Sequence, residues 1–220
     1  MTQGSKRNSD GAMKIGVYGS WRTPIPESTL QWARELGLAI ARAGHILVTG
    51  GSGGTLLAAR EGCRTGGGLN VGIIPESHSP LTIRRRALID VGIPTGSGAL
   101  GRMPILANTI DIAFALGGGA GTLVEVALTY LQRKPMFLVE GLEKKRTPSL
   151  TRLLVRRRQL SVGRHQFECG WLDGKEENLV APIFIFPHDL VPREALRFAI
   201  TLASEVQQSR SAIALGPLDE

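Results

Sequence analysis

Three short apolar stretches of this chain run straight into glycine and then into a helical pattern. They are Val17-Tyr18-Gly19-Ser20, Val48-Thr49-Gly50-Gly51-Ser52-Gly53-Gly54-Thr55 and Ala115-Leu116-Gly117-Gly118-Gly119-Ala120-Gly121-Thr122. Apolar runs that do not alternate with polar residues fit strands buried on both faces, which means a parallel sheet covered by helices. The same reading places strands at 14–20, 46–50, 70–75, 90–94, 111–116, 135–139 and 182–186. Helical patterns fill the gaps at 26–43, 55–65, 100–109, 122–132, 149–159 and 189–207. Strand and helix alternate throughout, so the expected fold is α/β: a doubly wound, mostly parallel sheet of about seven strands with helices on both faces. One domain over 13–208 accounts for the pattern, with a disordered tail at 1–12 and a loose C-terminus at 209–220.

In such sheets ligands sit beyond the carboxyl ends of the strands, where the strand order reverses. A glycine-rich turn lets several backbone N–H groups point at one anion, and the helix that follows adds the positive end of its dipole. Gly19, Ser20, Gly50, Gly51, Ser52, Gly53, Gly118, Gly119, Gly121 and Thr122 are therefore the candidate phosphate- or nucleotide-binding residues. One such turn is equally explained by close packing of backbone. Three at one sheet edge favour a small phosphorylated ligand. Two nucleotide classes are excluded by spacing. The first strand ends GVYGSWR, not G-x-G-x-x-G, and the second ends in glycine where a dinucleotide site needs an acid. No G-x-x-x-x-G-K-S/T is present, so this is not a P-loop.

At these residues the chain resembles the LOG family, Rossmann-like proteins once misassigned as lysine decarboxylases. The family signature is P-G-G-x-G-T-x-x-E, preceded by an Arg-Lys pair. Here Gly118-Gly119-Ala120-Gly121-Thr122-Leu123-Val124-Glu125 reproduces it, with Gly117 in place of proline. Arg102 falls where the family arginine falls, nine residues before Asp111, and Met103 stands in place of the lysine. Gly19-Ser20 and VTGGSGGTLLAA also match in position, and the resemblance covers about 13–140. The G-G-G-x-G-T loop, the IPTG stretch at 93–96 and a lone Gly-Arg look more like the subgroup that contains the molybdenum cofactor carrier proteins.

The resemblance implies two functions. LOG enzymes hydrolyse the N-glycosidic bond of nucleoside 5′-monophosphates, which would make Arg102 and Glu125 the catalytic pair of a phosphoribohydrolase. The carrier subgroup binds a phosphorylated pterin without transforming it. Neither requires a resident cofactor; molybdenum cofactor would be bound cargo. The family also implies subunit pairing, to a homodimer or homotetramer. The 122–132 segment, TLVEVALTYLQ, is apolar on more than one face, as a helix covered on several sides would be.

The rest of the chain narrows the setting. No apolar run approaches the roughly 20 residues of a membrane span, and the polar N-terminus carries no secretory h-region. Cys63 and Cys169 offer neither a disulfide framework nor metal spacing, and His45, His78, His165 and His188 show no ligand pattern. A cytoplasmic, membrane-free protein without a metal site is expected. Net charge is +7, and residues 142–165 hold eight basic side chains against one acid, Glu143. Without interleaved aromatics or a nucleic-acid motif, Lys144-Lys145-Arg146 and Arg156-Arg157-Arg158 read as a solvated helix face and loop, and a nucleic-acid partner is not expected. Arg84-Arg85-Arg86 follows the third strand near the mouth, and Trp21 follows Gly19-Ser20, placed either to stack on a heterocycle or to pack at the rim.

Overall fold

The apolar runs become strands, and the glycines end them. A computed structural model describes residues 11–21, 24–75, 88–142, 150–162, 165–172 and 183–214, without the side chains of 151, 155–157 and 209–214. His78, Arg84-Arg85-Arg86 and Lys144-Lys145-Arg146 lie outside the described residues. Chain order is β1 (Lys14–Gly19), α1 (Glu27–Arg42), β2 (Ile46–Thr49), α2 (Thr55–Thr65), β3 (Asn70–Ile74), β4 (Val91–Pro94), α3 (Gly98–Thr109), β5 (Ile112–Leu116), α4 (Ala120–Leu131), β6 (Met136–Glu140), β7 (Val155–Val162), β8 (His165–Trp171), β9 (Ile183–Pro187) and α5 (Pro192–Ala214). Helix α5 continues past 208 to Ala214.

All nine strands form one sheet in the order β4-β3-β2-β1-β5-β6-β9-β8-β7. From β1 the chain steps outward to β2, β3 and β4, then returns to lay β5 on the other side of β1. The order therefore reverses between β1 and β5, where Gly19 lies opposite Leu116. Right-handed crossovers on the two sides of that point put their helices on opposite faces. Helix α1 packs on both α2 and α5, and α3 packs on α4. Strand β5 is buried along its whole length, as continuous IAFAL requires.

The seven expected strands are present, and two more extend the sheet. The helix expected over 149–159 does not form. Leu150–Leu153 is a single 3₁₀ turn and Val155–Val162 is β7, paired antiparallel with β8, which in turn pairs antiparallel with β9. Leu150, Leu153 and Leu154 share helical spacing, but beyond them Leu160 and Val162 alternate with exposed Gln159 and Ser161, the period of a strand. Cross-strand pairing with β8 overrides the local helical preference of the arginine run. Arg156-Arg157-Arg158 thus belongs to a strand, not a helix face, and Arg158 lies 6.0 Å from the centroid of the Trp171 ring.

Candidate functional site

The three glycine-bearing strand ends meet at the switch point, and a buried arginine spans them. Arg102, in the second turn of α3, is only 7% exposed, and Glu125, in the second turn of α4, only 5%. The Arg102 guanidinium Nη1 lies 3.5 Å from Glu125 Oε1. Its other face rests on Gly50, where a Cβ would overlap the guanidinium. One side chain therefore reaches from the end of β2, past the end of β1, to the helix that follows β5. Glycine at 50 is what makes room for it.

Each member is held by its own support. The C-terminus of α3 leaves carbonyls unpaired, and Lys134 donates from Nζ to those of Ala107 at 2.8 Å and Asn108 at 2.6 Å. That clamp fixes the helix carrying Arg102. On the other side, Thr129 Oγ1 donates to the Glu125 carbonyl at 2.8 Å, so its oxygen is free to accept from the Tyr18 hydroxyl 2.7 Å away. Burial pushes the Tyr18 phenol above its ordinary pKa, keeping it a donor at any physiological pH. Tyr18 thus ties the end of β1 to the turn of α4 that carries Glu125.

Burial pushes the Glu125 carboxyl up to about 7, against the opposing pull of the Arg102 charge and hydrogen bond. A carboxyl in that range can hold or release a proton at neutral pH. Neither α2 nor α4 has an acid in its first turn, so nothing negative competes for the N–H groups left unpaired there.

The glycine residues divide by role. Gly118 has φ +121°, a conformation open to glycine, and its missing side chain leaves space that the Thr122 hydroxyl fills. Gly119 precedes α4, and Gly121 and Thr122 lie in its first turn. Gly19 presses against the Thr55 side chain at the start of α2, and Ser20 accepts from the Thr55 N–H at 3.0 Å. Gly51, Ser52 and Gly53 form the outer bend between β2 and α2. The candidate residues thus converge on one mouth, with half-exposed Trp21 at its rim.

Three histidines stand elsewhere. His45 accepts from the Met13 N–H at 3.3 Å, His165 stacks on Phe167, and His188 sits against Gly141. Sequence reading overlooked Arg60, which is 0% exposed and donates from Nη2 to the Ser52 carbonyl at 2.7 Å. Its signal was available: Leu56, Arg60 and Cys63 share the buried stripe of α2, and an arginine on an apolar stripe calls for an explanation.

Comparison with known proteins places this geometry. Residues 12–162 match the model of the SLOG cluster4 family. A protein of Archaeoglobus fulgidus, described only as uncharacterized, is 32% identical over 142 residues, spanning 62% of this chain and 89% of that one. The Moco carrier protein of Chlamydomonas reinhardtii superposes with a TM-score of 0.64 at 26% identity, over 89% of this chain and 99% of that chain. The molybdenum cofactor binding protein of Rippkaea orientalis is 34% identical over 60% of this chain and 78% of that chain, with a TM-score of 0.52.

Proposed function

This chain belongs to the SLOG cluster4 family, and we propose that its mouth binds a phosphorylated heterocycle as cargo, with molybdenum cofactor the leading candidate. The observation that carries the reading is the Arg102 guanidinium laid on Gly50 between the glycine turns at the switch point. A phosphate settled on the first-turn N–H groups of α4, with Thr122 beside it, would meet that charge at close range. The ring would extend toward the rim, where Trp21 offers a face. Similarity to the carrier of Chlamydomonas reinhardtii and the binding protein of Rippkaea orientalis supports the choice of cargo. Among the described residues there is no cluster of three His, Cys, Asp or Glu that would share an ion. No described helix is long and apolar enough to cross a membrane.

One observation favours a second reading, hydrolysis of nucleoside 5′-monophosphates. Glu125, buried beside Arg102 with its carboxyl near neutrality, suits acid–base work on an N-glycosidic bond. In that case the C1′–N bond breaks through an oxocarbenium-like ribose, Glu125 orients the water that adds to C1′, and Arg102 stabilises the departing base or the phosphate. Met103, in the place of the family lysine, argues for the cargo reading.

The deciding experiment incubates the protein with a panel of nucleoside monophosphates and assays free base and ribose 5-phosphate, with molybdenum cofactor binding measured in parallel. Cofactor binding without turnover is the expected result. Turnover that Glu125→Ala abolishes would instead establish the hydrolase. We further propose that the exposed Leu100, Ile105, Leu123, Val124 and Leu131 of α3 and α4 are covered by a second copy of this chain, giving a homodimer or homotetramer. Light scattering at micromolar concentration should then return a multiple of 23.6 kDa, and a monomer mass would refute it.

A further inference from the structure

Arg60 is a buried cation with most of its hydrogen-bonding capacity unspent. Nη2 is bound to Ser52, but Nε and Nη1 are sealed from solvent without a partner. No carboxylate among the described residues forms an ion pair with it; its neighbour Glu61 is paired with Arg34 at 3.1 Å. Burial lowers the guanidinium to about 10, which still leaves it charged at neutral pH. A second orphan sits at the same turn: Thr55 Oγ1, on the first residue of α2, is buried and unpartnered. Taking an arginine out of water for one carbonyl is a poor exchange unless something else uses the charge.

The peptide that Arg60 grips shows what that use is. A trans peptide is planar, with its C=O and N–H pointing in opposite directions. Arg60 holds the Ser52 carbonyl inward, so the Gly53 N–H of the same peptide points outward. A Cβ on Gly53 would meet nothing within 4 Å, so the loop is not packed over at this residue. Positive φ at Gly51 (+74°) and Gly54 (+62°) bends the loop around this peptide. Hydrogen bonding at the carbonyl polarises the amide and strengthens its N–H as a donor. The helix α2 N-terminus behind it adds a field of the same sign.

We propose that the β2–α2 turn is a separate oxyanion subsite, in which Arg60 supplies the counter-charge from beneath and aims the Gly53 N–H at a phosphate-class anion. Arg60 is a positioning residue here, acting through the Ser52–Gly53 peptide, and Thr55 is the second polar group at the same turn. A ligand that fills both this turn and the α4 N-terminus would carry two anionic groups about two strand spacings apart, roughly 10 Å. This rests on reading the mouth as a site for a phosphorylated ligand.

The test is thermal unfolding and calorimetric titration of the full chain with inorganic phosphate at constant ionic strength. Arg60→Met should melt no lower than the parent without phosphate, because the uncompensated charge is gone, yet bind phosphate about tenfold more weakly. The Gly53 amide resonance should move on adding phosphate to the parent and need about ten times as much phosphate to move as far in Arg60→Met. Thr55→Val, which replaces an unpartnered hydroxyl with a methyl, should melt at or above the parent and weaken phosphate binding by about threefold. Should Arg60→Met fail to fold, Thr55→Val and the parent's Gly53 resonance decide the matter. Unchanged phosphate affinity in either variant, or a Gly53 amide indifferent to phosphate, overturns the subsite while leaving the α4 mouth intact. Failure of the underlying reading has a different signature: the parent would then bind neither molybdenum cofactor nor any nucleoside monophosphate.

Discussion

At the switch point the sheet is finished by glycine; on the far side of β5 it is finished by rings. All six phenylalanines of the chain form one connected cluster: Phe114, Phe137, Phe167, Phe184, Phe186 and Phe198, on β5, β6, β8, β9 and α5. Ring centroids there stand 4.8 Å apart for Phe167 and Phe186, and 5.2 Å for Phe137 and Phe184. The glycine side has little apolar bulk, but it gathers the buried polar groups: Arg60, Arg102, Thr122, Glu125 and Thr129. Backbone must be reachable at the ligand site proposed for that side, and this would require it to give up packing. The phenyl side recovers it, through a hairpin added beyond the parallel strands.

This division predicts that stability and binding separate. Phe137 is fully buried between Phe114, Phe184 and Phe186, so Phe137→Ala should lower unfolding stability by about 3–5 kcal/mol, the largest effect of any single change considered. Urea unfolding measures it, and phosphate affinity of the folded fraction should stay as it was. A matching loss of affinity would show that the two sides are not independent.

Gly50→Ala probes the opposite side. The added methyl would overlap the Arg102 guanidinium, forcing it off its seat at about 1–3 kcal/mol of stability, less than the phenylalanine change. Ligand affinity should nevertheless fall by about tenfold or more, since Arg102 would no longer span the strand ends. Isothermal titration with a nucleoside monophosphate or molybdenum cofactor is the measurement. Retained affinity would remove Arg102 from the site.

How much of this was legible in the sequence follows the same division. Strands β5, β6 and β9 announce themselves because IAFAL, MFLV and IFIF are continuously apolar, as burial on both faces demands, whereas the edge strand β4, expected from the same pattern, is exposed along its length. The glycine turns mark the candidate mouth, and the resemblance to the LOG signature singles out Arg102 and Glu125, which the fold brings within 3.5 Å. Strand β7 was hidden because its alternation covers only Leu160 to Val162, while arginines and leucines before it imitate a helix. Arg60 was hidden for another reason. It reads as one more basic residue in a chain of net charge +7, and only its place on the stripe of Leu56 and Cys63 betrays its burial. Its orphaned donors depend on how the β2–α2 turn closes over it, which no local pattern encodes.

The remaining expected effect lies wholly on the glycine side and concerns pH. Burial raises the Glu125 carboxyl from an unfolded value of 4.5 to about 7. Below about pH 4.5 both states hold the proton, and this group contributes no pH dependence. Between there and about 7 the folded protein keeps the proton that the unfolded chain has released. Protons are then more numerous on the folded state, so stability falls as pH rises, and it levels off once the folded carboxyl ionises. The Arg102 charge opposes this shift, which limits the fall without reversing it. Glu125→Gln removes the titration but keeps the shape and burial of the side chain. Subtracting its urea-unfolding stability from that of the parent at each pH should therefore leave a curve that declines from about pH 4.5 to 7 and is flat outside that window. The phenylalanine variant should carry the same declining curve as the parent, displaced downward, because the carboxyl is untouched. A parent-minus-Gln curve that rises with pH would mean that the ion pair with Arg102 outweighs burial and that Glu125 enters the site already ionised, which would remove the ground for assigning it acid–base work.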